Sequence, residues 1–254
     1  MPRIVFVLGL IGGAVGAQAA VVYDNSTTYT GNIHVLMPAG MSESTEHGNE
    51  LTLAGSDRVA TNVVVWMRVM GGGACTFTLE VRFRRNDGPD GRPGSLIWTS
   101  GPRPSIIDSG FNLAYSIPVP NVVVPDGFTC TIQTTNRMSG NMSQMGPALY
   151  NPPTTGAAPF GSWQQTGPGP EDWQFASVAE PPFGIRVTAI PCSNPRNGDL
   201  DGDGAANGDD VQRFAAAAAV NSTAVSDVCA ADFSGNAMID AEDAPGMVER
   251  MLSP

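Results

Sequence analysis

The sequence predicts a mainly β chain: an antiparallel β-sandwich of jelly-roll type, followed by a small α-helical domain of different chemistry. Three observations predict it. Gly and Pro supply 51 of the 254 residues while only 15% are charged, the composition of a turn-rich β protein and not of a helical bundle. Short segments of apolar/polar alternation recur between turn residues over most of the chain, which is the pattern of half-buried strands. Charge is divided unevenly. Residues 192–254 hold 11 acidic side chains against Arg196, Arg213 and Arg250, a net of −8, so the other 191 residues carry only −3 of the total −11. The boundary falls at Ile190-Pro191-Cys192, giving expected domains 21–190 and 191–254.

The chain opens with Arg3, an apolar run from Ile4 to Val15 and an Ala17-Gln18-Ala19 site, the pattern of a cleaved signal peptide over residues 1–20. The run is shorter than the ~20 apolar residues of a membrane-spanning helix, and no second such run follows, so an exported chain without a transmembrane anchor is expected. Export permits disulfides. Of three possible connectivities, one bridge within each region is the simplest: Cys75 with Cys130 and Cys192 with Cys229, with free buried thiols as the alternative.

Between residues 21 and 190 the clearest strand is 75–83, where Cys75, Phe77, Leu79, Val81 and Phe83 share one face; Phe128, Cys130 and Ile132 share another. Further strands are expected at 31–37, 49–54, 60–70, 95–99, 112–124, 147–150, 173–178 and 184–189. Asn86-Asp87-Gly88-Pro89-Asp90-Gly91 and Pro125-Asp126-Gly127 carry turn chemistry between them. No segment here keeps a helical period, and some ten short strands with frequent turns form a sandwich or jelly roll.

The candidate chemistry of the sandwich is sparse. Trp163 and Trp173 flank a Gly/Pro/Gln-rich loop and could stack on sugar rings, which makes a polysaccharide the expected ligand class; core filling is the competing role. Glycoside hydrolysis needs two carboxyls flanking the bond. The sandwich offers only Glu43, Glu46, Glu50, Glu80, Glu171 and Glu180, and the alternation points Glu80 away from the apolar face. His34 and His47 are the only imidazoles, 13 residues apart, with no motif around either, and a core or surface role is expected for both. No catalytic residue is assigned. The net acidity excludes nucleic acid as a partner, since phosphate binding needs a basic face and this chain has 13 Arg and no Lys.

The specific signal is at the C-terminus. Residues 199–210 place oxygen side chains at positions 1, 3, 5, 9 and 12 of a twelve-residue loop: Asp199, Asp201, Asp203, Asn207 and Asp210, with Gly204 at position 6 and the Ala205 carbonyl at position 7. That is the spacing of an EF-hand calcium loop, which wraps a hard cation in 6–8 oxygens. The spacing returns 33 residues later as Asp232, Ser234, Asn236, Asp240 and Asp243, with Met238 offering its carbonyl. Ala237 replaces the turn glycine and Ser and Asn replace two carboxylates, so the second loop is expected to bind calcium more weakly than the first. Each loop runs into a helix-favouring stretch, 211–220 and 244–252, the second tolerating Pro245 in its first turn.

With Asp at position 12 and a duplicated loop–helix unit, residues 197–253 resemble a type I dockerin, the module that docks secreted bacterial proteins onto cohesin-bearing scaffolds. The resemblance implies two calcium ions held by the twelve residues just named, an extracellular or cell-surface bacterial location, and a cohesin-like or cell-envelope protein as partner. The family's recognition pair at positions 10 and 11 is replaced by Gly208-Asp209 and Ala241-Glu242. Two functions follow as expectations: a secreted, non-catalytic binding or surface protein, or, because dockerins accompany such catalysts, a polysaccharide-degrading glycoside hydrolase or accessory protein.

Overall fold

A computed structural model describes residues 18–36, 45–71, 73–107, 110–138, 144–167, 169, 172–177, 179–192 and 195–253. The expected signal peptide lies outside them for residues 1–17, as do Glu43 and Glu171. The described residues form thirteen strands: β1 (Ala20–Asn25), β2 (Tyr29–Ile33), β3 (His47–Thr52), β4 (Val59–Met70), β5 (Cys75–Arg84), β6 (Leu96–Thr99), β7 (Arg103–Ile107), β8 (Asn112–Val123), β9 (Gly127–Met138), β10 (Gln144–Tyr150), β11 (Ser162–Gln165), β12 (Trp173–Ser177) and β13 (Ile185–Ile190). Three helices close the chain: α1 (Gly208–Ala218), α2 (Val225–Ala231) and α3 (Ala244–Leu252). None of the described helices is long and apolar enough to cross a membrane.

The strands form two antiparallel sheets. One runs β1-β13-β4-β10-β2 with β8 also on β4; the other runs β12-β11-β3-β9-β5-β6 with β7 also on β5. Alternation does what it predicts: every second residue of β5, from Cys75 to Phe83, is buried, and so are Val63, Val65, Met67 and Val69 of β4. These residues belong to the single apolar cluster of the sandwich. Strands β1, β7 and β11 were not expected from the sequence. β7 opens Arg103-Pro104, and its proline is admissible because β7 pairs only with β5 and lies at an edge. β11 lies in the Gly/Pro/Gln-rich stretch read as a loop.

The expected Cys75–Cys130 bridge does not form; both cysteines are buried and neither is disulfide-bonded. The two side chains share the core face as expected, but the register sets Cys130 opposite Phe83, eight residues up β5 from Cys75. At about 3.3 Å per residue that is about 26 Å of strand, whereas a disulfide needs Cα atoms within about 7 Å. Cys192 and Cys229 do bridge, with Cα atoms 5.2 Å apart.

The helical part does not hang free. Val59 at the start of β4 and Val123 at the end of β8 join Phe214, Ala217, Val228, Ala231, Ala237, Ile239 and Met247 in a second apolar cluster, with Ile190 and Cys192 against it. The acidic segment is thus seated on one end of the sandwich.

Candidate metal centre

Loop one is shaped by its own aspartates. Asp199 at position 1 accepts from the backbone N–H of Gly202 (2.6 Å), Asp203 (3.1 Å) and Gly204 (3.0 Å). Asp210 at position 12 accepts from Leu200 (2.8 Å), Asp201 (3.0 Å) and Asn207 (2.8 Å). Asn207 caps α1, accepting from Asp209 N–H at 2.9 Å in a capping box with Asp210. The turn needs a left-handed backbone at Gly204, φ 97°, which glycine adopts without steric cost. Carboxylate oxygens of Asp199, Asp201 and Asp203 thereby lie within 4.8 Å of one another.

Loop two repeats these bonds except at position 2, where Phe233 N–H donates to the Ala231 carbonyl. Asp232 accepts from Gly235 (2.7 Å), Asn236 (3.1 Å) and Ala237 (3.0 Å), and Asp243 accepts from Ser234 (2.8 Å) and Asp240 (2.9 Å). Met238 N–H donates to Asn236 Oδ1 at 2.9 Å, and Asn236 Nδ2 donates to Asp240 Oδ2 at 2.8 Å. Burial would raise the Asp210 carboxyl, but its three backbone N–H donors and Arg213 hold it below the ordinary range; at Asp232 burial wins and the carboxyl is raised.

Donors of this set are all hard oxygens, with no sulfur and no imidazole, which suits a hard divalent cation and not zinc or copper. Asp199, Asp201 and Asp203 supply carboxylates that could hold a metal ion; Ala205 offers its carbonyl and Asn207 and Asp210 complete the loop. The residues present therefore fit such an ion at loop one.

In the sandwich the two tryptophans divide. Trp173 is 1% exposed, with the Arg84 guanidinium 5.6 Å from its ring centroid, so it cannot stack on a sugar: it fills the fold. Trp163 is half-buried and packs edge-on against Phe175 at 5.1 Å, and Phe175 is 42% exposed.

Glu46 and Glu80 of the sandwich are tied to cations. Glu46, 3% exposed, meets Arg82 at 2.8 Å and Arg84 at 2.7 Å and accepts from Thr131 Oγ1. Burial alone would raise its carboxyl, but the Arg84 and Thr131 hydrogen bonds and the two guanidinium charges hold it below the ordinary range. Glu80 meets Arg82 at 2.8 Å.

Sequence reading missed a buried polar relay. His34, just after β2, and His47, opening β3, approach from facing sheets, Nε2 to Nδ1 at 2.8 Å. Glu180 Oε2 lies 2.6 Å from His34 Nδ1, and Thr45 Oγ1 lies 3.0 Å from His47 Nε2. With Glu180 ionised, His34 Nδ1–H donates to it, His47 Nδ1–H donates to His34 Nε2, and the Thr45 hydroxyl donates to His47 Nε2. Burial first, and His34 second, push the His47 imidazole down to about 3, so it stays neutral. No family model matches the sequence, and neither a curated protein nor a solved structure matches it.

Proposed function

We propose that the chain is an exported calcium-binding protein in which a non-catalytic β-sandwich is joined to a dockerin-like pair of calcium loops. The convergence of the Asp199, Asp201 and Asp203 oxygens carries this reading. Three carboxylates at that spacing repel one another, and a divalent cation among them removes the repulsion. Asp199, Asp201, Asp203, Asn207, Asp210 and the Ala205 carbonyl would hold the ion in loop one. Asp232, Ser234, Asn236, Asp240, Asp243 and the Met238 carbonyl would hold a weaker one in loop two. The cation, when bound, contributes charge neutralisation and ordering of the loop that enters α1.

The non-catalytic reading of the sandwich is supported by Glu46, Glu80 and Glu180, each already engaged by an arginine or a histidine. A polysaccharide is the proposed ligand of the partly exposed Trp163–Phe175 surface, and a cohesin-like or cell-envelope protein the proposed partner of the helical part. Calorimetric titration of the mature full-length chain with calcium should show binding, and chelation should remove helical circular-dichroism signal while the strand signal stays. Asp201→Asn with Asp203→Asn should abolish the tight phase. Neither heat of binding nor any chelator-dependent signal would overturn the reading.

A further inference from the structure

The two loops share most of their internal hydrogen bonds and differ in their surroundings. Loop two is turned onto the sandwich. Arg85, the residue after β5, is 7% exposed and sets its guanidinium against this loop, Nη2 donating to the Ala237 carbonyl at 2.9 Å. Its Nη1 is buried with no hydrogen-bond partner among the described residues. Asp126 N–H, at the β8–β9 turn, donates to Gly235 O at 3.4 Å. Burial pulls the Arg85 guanidinium below its ordinary range, and the charges of Asp87, Asp232 and Asp240 act against that; Arg196 also acts on Asp232. A buried guanidinium is costly unless negative charge faces it, and two of these three carboxylates belong to loop two.

Ala237 makes the same point. It occupies position 6, where loop one has Gly204, and it adopts the left-handed φ of 62° that disfavours a side chain. Its methyl is 1% exposed inside the cluster that includes Val59 and Val123 of the sandwich, so burial offsets the backbone cost. The methyl that loop one lacks adds to the apolar cluster joining loop two to the sandwich. Loop two also presents three carboxylates at its ligand positions, Asp232, Asp240 and Asp243, where loop one presents four.

We propose that Arg85 is the resident cation of loop two, making that loop a metal-independent clamp between the sandwich and the helical part and leaving loop one as the chain's single tight calcium site. The inference rests on the calcium reading above. A second divalent ion would have to enter a loop with one carboxylate fewer and a fixed positive charge beside it. Access is not the obstacle: a cleft of about 410 Å³ lined by Arg85, Ser234, Asn236 and Asp240 opens beside the loop.

Native mass spectrometry and calorimetry with calcium, on the mature full-length chain, test it. The wild type should take up one ion, with a second at least tenfold weaker; Asp203→Asn should remove the first. Arg85→Met should tighten the second site at least tenfold and leave the first unchanged, and Arg85→Lys, which keeps the charge, should still give one tight ion. Asn236→Asp supplies a fourth carboxylate while leaving Arg85 and the buried Ala237 in place, and should recruit the second ion even if Arg85→Met does not fold. Two ions of equal affinity in the wild type, or a second site unmoved by Asn236→Asp, overturns this inference alone. No ion at all overturns the calcium reading and this inference with it.

Discussion

The sandwich and the helical part bury carboxylates in opposite ways. In the sandwich, Glu46 is held by Arg82 and Arg84 and Asp24 by Arg186 at 3.0 Å, so each buried acid has its counter-charge in the same layer. In the helical part, Asp199, Asp210, Asp232 and Asp243 are equally buried, yet among the described residues none forms an ion pair; backbone N–H groups are their donors. The difference teaches where each region is vulnerable. The sandwich answers its buried acids with paired arginines, whereas the helical part answers them with backbone N–H groups and with arginines unpaired among the described residues, such as Arg213 and Arg196.

The sharpest way to break that contrast is Glu46→Ala, which among the described residues leaves Arg84 without a carboxylate and Arg82 with Glu80 alone. Urea unfolding should show a loss of about 3–5 kcal/mol, and the same loss with calcium or with chelator. A loss seen in only one of the two conditions would show that the regions are not independent in this respect.

Acid should act next, and on the sandwich. The folded His47 imidazole sits at about 3, below its ordinary 6.5, so the unfolded chain takes up the proton first. Stability from this group is complete above about pH 6.5 and falls as pH drops toward 3, by an amount on the order of 4 kcal/mol over the whole window. His47→Gln should flatten the pH dependence of the unfolding midpoint in that window, measured against the wild type in the same buffers. The smallest effect belongs to the helical part. Asn207→Ala removes the cap of α1 and should cost about 1 kcal/mol, read from thermal melting of the helical signal at saturating calcium.

Much of this was legible in the sequence. Residues 75–83 read as one strand with one buried face because alternation is a local property, and β5 has that pattern. The twelve-residue spacing announced both loops for the same reason. What stayed hidden depends on register or on contacts between distant elements. Cys75 and Cys130 point to the correct face, but only pairing shows the eight-residue offset between them. His34 and His47 look unrelated at 13 residues apart, and meet because β2 and β3 lie in facing sheets. Trp173 reads as a loop aromatic, and it is the packing of Arg84 over its ring that removes it from the surface. Ala237 was visible as a flaw in a loop motif; its reason is a methyl packed against the sandwich.

The Cys192–Cys229 bridge gives the end of the chain a covalent memory of its position. It closes a ring across 37 residues of separation and pins α2 next to Cys192, two residues beyond β13. Should α1 and α3 loosen, the bridge still holds α2 beside the end of β13 and keeps the stretch between the two cysteines a closed ring, which limits the conformations open to it.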